Sequence, residues 1–400
     1  MDTADICFRM SWYLSLVGRY NEAEDLARRS ARVWANFLGQ KHPKTLDSMD
    51  ILAGTYRDQG RWKEPEELQV KVIETRKRAL RQDHRNIFAS MHNLAATYQN
   101  QGRWMEAEEL EVKVMETCKG VLGQDHPATL ASMQSLAMTY RNQGRWKEAE
   151  ELEVKVVETR KGVLGQKHPN TLSSMANLTS TYRNQGRWTE AEELGMKVME
   201  TCKGVLGQDH PGTLASMANL AVTYRNQGRW EKAVELFVKV METCKGVLGQ
   251  DHPDTLTSMA NLAATYRNQG RWKKAEELFV KVMETCKGVL GQDHPNTLTC
   301  MDDLASAYWY QGRWKEAEEL GVRVVETTKK VLGPEHPDTL ICLANLAFTW
   351  RSQDRIAEAV AMLEQVVNTY AGLFGDGHPN SRVWMATLKM WKGENSRCVS

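Results

Sequence analysis

The chain has almost no excess of charge of either sign: 52 lysines and arginines stand against 51 aspartates and glutamates, a net charge of +1 at pH 7. A protein that neutralises nucleic-acid phosphates carries a basic excess or stripe, so this balance speaks against nucleic acid as a partner. No apolar run approaches the ~18 residues that a membrane-spanning helix needs, so no membrane partner is expected. The N-terminus, Met1-Asp2-Thr3-Ala4-Asp5, has neither the basic start nor the apolar core of a signal peptide. A cytoplasmic setting is expected. Cysteines are few, 8 in all, and Cys118, Cys202, Cys244 and Cys286 occupy one position of a repeat. Neighbours in such a series would sit a repeat spacing apart, beyond the ~7 Å Cα limit for a disulfide, so reduced core thiols are expected. No stretch rich in proline, glycine and serine marks a linker, which favours one elongated domain over several globular ones.

What the sequence has is a period. A His-Pro step, or its remnant His84-Arg85, stands at residues 42, 84, 126, 168, 210, 252, 294, 336 and 378, always 42 residues apart. Residues 208–249 and 250–291 differ only at Gly212/Asp254, Ala215/Thr257, Val222/Ala264, Glu231/Lys273 and Val234/Glu276. The unit therefore has to be explained before the chain. In residues 210–249, Leu214, Met217, Leu220, Ala221 and Tyr224 recur at steps of three and four, the stripe of a first helix, helix A. Pro211 suits the first helical position, where its missing N–H costs nothing. Asn226-Gln227-Gly228 breaks the pattern, with Gly228 as the left-handed residue of the turn. Trp230, Ala233, Phe237, Val240, Cys244 and Val247 form the stripe of a second helix, helix B. Neither helix can bury its stripe alone, so stacked antiparallel helix pairs sharing one continuous core are predicted, an all-α architecture.

Leu220-Ala221-x-x-Tyr224, Gly228-x-Trp230-x-x-Ala233 and Phe237 resemble the tetratricopeptide repeat (TPR) signature in order and spacing. The 42-residue period, the Asn-Leu-Ala segment, the Gln-Gly-Arg-Trp turn and the Leu-Gly-x-x-His-Pro connector are similar to the longer repeats of kinesin light chains and nephrocystin-like proteins. They are also similar to near-identical arrays in fungal nucleotide-binding immune-receptor-like proteins. Seven units carry Gly-Arg-Trp, and the resemblance covers about residues 5–390. It implies a right-handed superhelical solenoid of helix pairs: a partial repeat over 1–36, eight tandem units over 37–379, and a partial helix and tail over 380–400. Arg81 and Arg85 replace glycine and proline of the connector, and Pro65 replaces a small alanine within the first turn of its helix B, which should survive with looser packing. Trp384, Met385, Leu388 and Trp391 are expected to lie partly uncovered unless the tail folds back or another chain or domain covers them, which leaves self-association through the ends as one expectation.

Chemical readings of the repeat are weak. A zinc site needs three or four converging ligands, and one histidine per repeat cannot converge, so no metal is expected. Gly162-Val163-Leu164-Gly165-Gln166-Lys167 lacks the Gly-Lys-Ser/Thr ending of a phosphate loop and follows a helix instead of a strand, so no nucleotide or other cofactor is expected. Glu148-Ala149-Glu150-Glu151, repeated in most units beside lysines, reads as a solvated helix face. A near-perfect repeat offers no unique catalytic constellation, so the chain is not expected to be an enzyme.

Surface for a protein or peptide remains. Residues 215, 219, 222 and 226 make a second stripe of helix A, and the resemblance implies that this face lines a concave groove for extended peptides. Asn219 stands where the family's asparagine binds peptide backbone, as do Asn93, Asn177, Asn261 and Asn345, while Ile51, Ser135 and Asp303 interrupt the series. An amide offers a donor and an acceptor and can pair with any peptide unit. Arginines recur nearby (Arg57, Arg141, Arg183, Arg225, Arg267 and Arg351), giving a basic lining suited to acidic ligands. Asp302, Asp303, Ser306, Trp309 and Tyr310 set one unit apart, with Arg267 on one side and Phe348 and Arg351 on the other. A single selective site is expected there. Several equivalent grooves in series would favour repetitive ligands held by avidity. The leading expectation is a non-catalytic interaction scaffold. The alternatives are the sensing region of a fungal nucleotide-binding immune-receptor-like protein and a kinesin light chain-like cargo adaptor, although the heptads that bind a motor heavy chain are absent from this sequence.

Overall fold

A computed structural model describes residues 2–79 and 85–398, and Arg81 and His84 of the degenerate connector fall outside them. Every regular element among the described residues is an α-helix. The chain forms two compact units, residues 1–142 with 146–185 and residues 143–145 with 186–400. The first holds α1 (Asp2–Leu16), α2 (Tyr20–Leu38), α3 (Pro43–Asp58), α4 (Lys63–Ala79), α5 (Arg85–Asn100), α6 (Trp104–Leu122), α7 (Pro127–Asn142), α8 (Trp146–Leu164) and α9 (Pro169–Asn184). The second holds α10 (Trp188–Leu206), α11 (Pro211–Asn226), α12 (Trp230–Leu248), α13 (Pro253–Asn268), α14 (Trp272–Leu290), α15 (Pro295–Tyr310), α16 (Trp314–Val331), α17 (Pro337–Ser352), α18 (Ile356–Phe374) and α19 (Pro379–Cys398). Within each unit consecutive helices pack on one another through short turns, the arrangement of stacked helix hairpins.

The His-Pro step is a helix start. His210 sits in extended backbone, and its Nδ1 accepts the N–H of Gly212 at 3.0 Å, while Pro211 opens α11. The same cap recurs at His42, His126, His168, His252, His294, His336 and His378. It satisfies one of the first N–H groups that a helix leaves unpaired. The buried Thr213 completes the connector by donating from Oγ1 to the Gly207 carbonyl at 2.7 Å. At the other turn, Gly228 takes φ +74°, which lets the Arg229 N–H reach back to the Tyr224 carbonyl at 2.9 Å.

The predicted stripe of helix A is buried in full, as are Ala233, Phe237, Val240 and Cys244 of helix B. Phe237 packs among Leu220, Ala221, Tyr224, Ala233 and Leu262, so one ring joins two repeats. Burial of such a ring contributes about 1.5–3 kcal/mol. Two members of the predicted helix B stripe are corrected. Trp230, at the first helical position, is 39 % exposed, and Val247 is 58 % exposed. From Cys244 the 3.6-residue turn brings Leu248, not Val247, back to the core. Pro65 is the third residue of α4, which runs unbroken. The seven cysteines with described side chains are free and buried.

The last helix departs from expectation. Trp384, Leu388 and Trp391 of α19 are buried, with Met385 packed beside them. Trp384 meets Tyr370 edge-on at 5.0 Å between ring centroids, and Trp391 meets Phe348 at 5.1 Å. The helix turns its apolar stripe inward against α17 and α18, so a lone helix A caps the stack it ends. Val383 and Met390 lie on its exposed face.

Candidate functional site

The placing of the second stripe of helix A depends on how successive repeats are fixed. In the second unit, Gln227 Nε2 donates to the Trp188 carbonyl at 3.2 Å and to Glu192 Oε2 at 2.9 Å. Arg229 Nη1 donates to both oxygens of Glu192, at 2.5 and 2.6 Å, and its guanidinium lies 4.5 Å from the Tyr224 ring centroid. Arg313 repeats this with Glu276 and Tyr308, and Arg355 with Glu318 and Trp350. In the first unit Arg61 reaches Glu24 and Arg103 reaches Glu66. The Gln-Gly-Arg turn is thus an inter-repeat staple. Glutamates that the sequence suggests are merely solvated supply its acceptors, which lowers the pKa of Glu192, Glu276 and Glu318 against the opposing effect of burial.

With helices A held side by side, the predicted arginines reach across repeats. Arg225 Nη1 donates to Asn261 Oδ1 at 3.3 Å, and Arg267 Nη1 donates to Asp303 Oδ1 at 3.3 Å and Ser306 Oγ at 3.1 Å. Arg267 Nε is buried with no hydrogen-bond partner. Arg225, Asn261, Arg267 and Asp303 line one cavity of about 520 Å³ between α11, α13 and α15. Burial lowers the pKa of Arg225, and the like charge of Arg267 adds to the effect; burial raises that of Asp303 against the pull of Arg267. In the first unit Arg141 Nη1 donates to the Asn177 carbonyl at 3.1 Å and lies 3.5 Å from Glu153. The side-chain amides of Asn93, Asn177 and Asn219 make no hydrogen bond among the described residues, whereas those of Asn261 and Asn345 are engaged by the neighbouring repeat. Arg183 and Arg351 are half-buried on the same face of their helices.

The aberrant unit forms a second cavity, of about 260 Å³. Asp302, Trp309, Tyr310, Asn345 and Phe348 line its walls, and Gly321 of α16 is its floor. Asn345 Nδ2 donates to Asp302 Oδ2 at 2.8 Å, and Trp309 Nε1 donates to Ser352 Oγ at 2.9 Å. Trp309 and Tyr310 stand edge-on, 5.0 Å apart. Burial pushes Asp302 up to about 6, offset by the Asn345 hydrogen bond. Asp302 and Asp303, adjacent in sequence, therefore serve different cavities. Within each unit the sequence-predicted residues fall into separate patches and not into one site.

Sequence reasoning missed the position that decides what lies beneath the groove. Across helices B it reads Gln69, Glu111, Glu153, Gly195, Phe237, Phe279, Gly321 and Leu363. Phe237 and Phe279 fill their hairpins, while Glu111 and Glu153 bury carboxylates that accept from Thr139 Oγ1 at 2.5 Å and Thr181 Oγ1 at 2.6 Å. Gln69 accepts from Thr97 Oγ1 at 2.8 Å. The signal was available as variation at one register of an otherwise copied unit. An ion cluster around the buried Arg76 was also missed: Arg76 donates to the half-exposed Asp47 at 2.5 Å and to Asp50 at 2.6 Å, in the wall of a cavity that Asn93 and Arg57 also line. Among the described residues no group of three or more histidine, cysteine or acidic side chains is placed to hold a metal ion, and no helix is long and apolar enough to cross a membrane.

No curated protein matches the chain. Among solved structures it is similar to the nearly identical TPR-like repeats of a Podospora anserina protein described as a kinesin light chain, at 35% identity and TM-score 0.44, covering 51% of this chain and 97% of that one. It shares a fold with the apo form of the quorum sensor NprR from B. thuringiensis, at 13% identity and TM-score 0.57, over 92% of this chain and 98% of that one. A Rap protein complexed with Competence and Sporulation Factor is similar at 10% identity and TM-score 0.53, over 99% of both chains. A family model for the tetratricopeptide repeat matches residues 13–78, 86–162, 170–245, 215–279, 259–330 and 311–372, so this chain of capped and stapled helix pairs belongs to the tetratricopeptide repeat family, whose fold is generally a non-catalytic scaffold for protein interaction.

Proposed function

We propose that each unit of the chain holds an extended segment of a partner protein along the face of its A helices, with the asparagines pairing to its backbone and the arginines to acidic side chains. The observation that carries this reading is the cavity between α11, α13 and α15, where Arg225 and Arg267 lie close enough for one to depress the other and Arg267 Nε has no partner. Two cations sharing a half-buried groove with one carboxylate, Asp303, favour an anionic guest. Asn177 and Asn219 present unused amides, each able to donate to and accept from a peptide unit whatever its side chain. Repetition of the arrangement suits a long or repetitive ligand bound through several weak contacts.

The test uses fluorescence polarisation with extended peptides of matched length and acidic, neutral or basic composition. Acidic peptides should bind most tightly, and Asn177→Ala/Asn219→Ala/Asn261→Ala, checked for helicity, should weaken them at least about tenfold. Equal binding of the three compositions, or no effect of the triple variant, would remove the groove as the working surface.

A further inference from the structure

The cavity floored by Gly321 differs in kind from the rest of the groove. Its volume, about 260 Å³, falls below the ~300–1,000 Å³ of pockets that enclose a whole small ligand, so it is sized for one long side chain. The space exists because of one residue. Phe237 and Phe279 occupy the same register in α12 and α14 and are fully buried there. Gly321 leaves that volume open beneath Ser306, Trp309 and Phe348. The opening is not a packing necessity, since a Cβ built on Gly321 would meet only Leu346 Cδ1, at an ordinary 3.5 Å.

We propose that this cavity is an anchor site for a single basic side chain, arginine or lysine, of the partner segment, with Asp302 as its counter-ion and the rings of Trp309 and Phe348 covering its stem. Asp302 accepts from Asn345 and Cys342 and forms no ion pair among the described residues; Arg267, whose charge it feels, is paired with Asp303. A carboxyl drawn out of water without a cation is the group that an incoming ammonium or guanidinium stabilises most. Burial and the neighbouring Asp303 charge both raise its pKa, which is the mark of that missing cation. Apolar walls and aromatic rings suit the methylene stem and planar head of a basic side chain. An acidic guest would meet the like charge of Asp302, and a purely apolar one would leave Asp302 without compensation. The Phe348 ring is itself braced by Trp391 of α19.

This anchor rests on the groove reading for the rest of its ligand, but it can be tested without a peptide. The Trp309 indole N–H, assigned by its loss in Trp309→Phe, reports on the cavity in a nitrogen–proton correlation spectrum. Titration with Nα-acetyl-arginine methylamide should shift that signal saturably, and the norleucine and glutamate analogues should not. Gly321→Phe, which copies Phe279, should abolish the shift; Gly321→Ala should retain it; Asp302→Asn should weaken it at least about tenfold. Thermal unfolding of each variant confirms folding, and if Gly321→Phe fails to fold, Asp302→Asn decides. No shift with the arginine probe, or equal shifts with the glutamate or norleucine probe, overturns the anchor while leaving the acidic-peptide result of the groove untouched. A basic anchor without acidic-peptide binding would overturn the groove reading alone.

Discussion

Replacing Glu111 by glutamine should stabilise the protein at neutral pH. The carboxylate lies on α6, is almost completely buried, and accepts from Thr139 Oγ1 at 2.5 Å and Gln99 Nε2 at 3.0 Å. Neither donor carries a charge, and burial pushes the group from its ordinary 4.5 up to about 7. Below about pH 4.5 it is protonated in both folded and unfolded chains and costs nothing. Between 4.5 and 7 the unfolded chain ionises first, so stability falls as pH rises. Above 7 both states are ionised and the full penalty persists, about 3 kcal/mol from this gap. Glutamine keeps the shape and one of the two acceptor oxygens, as Gln69 does one repeat earlier where it accepts from Thr97 at 2.8 Å, while its amide nitrogen can donate to the side-chain oxygen of Thr139 or Gln99. Glu111→Gln should therefore match the wild type near pH 4.5 and exceed it by up to about 3 kcal/mol near pH 8. Because repeat arrays open locally, the assay is hydrogen exchange of α6 and α7 amides across that range, read as the difference between the two proteins so that other titrations cancel. A difference that stays flat with pH, or a variant that is less stable at pH 8, would refute the burial argument.

Phe279→Ala should cost about 3–5 kcal/mol in the exchange stability of α14 and α15, since the ring is fully buried among Ala263, Ala275, Leu304 and Ala307. Loss of Arg229 should cost less than about 1 kcal/mol, because the Arg229–Glu192 staple is only half-buried and solvent screens it; denaturant melts of Arg229→Ala check this. Binding of the arginine probe should weaken as pH falls below about 6, when Asp302 takes up its proton, approaching tenfold per pH unit. The groups facing Asp302 are Asp303 on its own helix, Arg267 from α13, and Cys342 and Asn345 from α17. Binding that is constant from pH 5 to 8 would contradict its role as counter-ion.

The helix pairs were legible because each repeat states them redundantly: proline at one start, tryptophan at the other, glycine at the turn, and apolar steps of three and four between. Where one residue had to choose between adjacent positions the reading slipped, as with Val247 and Leu248, because both are apolar and only the accumulated helical turn distinguishes them. The cap by α19 was hidden for another reason. A terminal helix with an apolar stripe reads as uncovered unless its docking on Tyr370 and Phe348 is known. The second stripe of helix A was legible in the period, but not its cross-repeat bonds, since Arg267 and Asp303 are 36 residues apart. Gly321 was the least legible residue of the candidate site. A glycine inside a helix B carries no chemistry, and its meaning lies in the volume that Phe279 fills one repeat earlier.

The central claim is that helix A, and not helix B, is the working face. Hydrogen–deuterium exchange of the chain, alone and saturated with the tightest acidic peptide, tests it directly. Protection concentrated in 211–226, 253–268 and 295–310, with 230–248 and 272–290 unchanged, is the predicted result. Protection confined to the helix B segments or to α1 and α19 would contradict it and move the binding surface to the outer face or the ends.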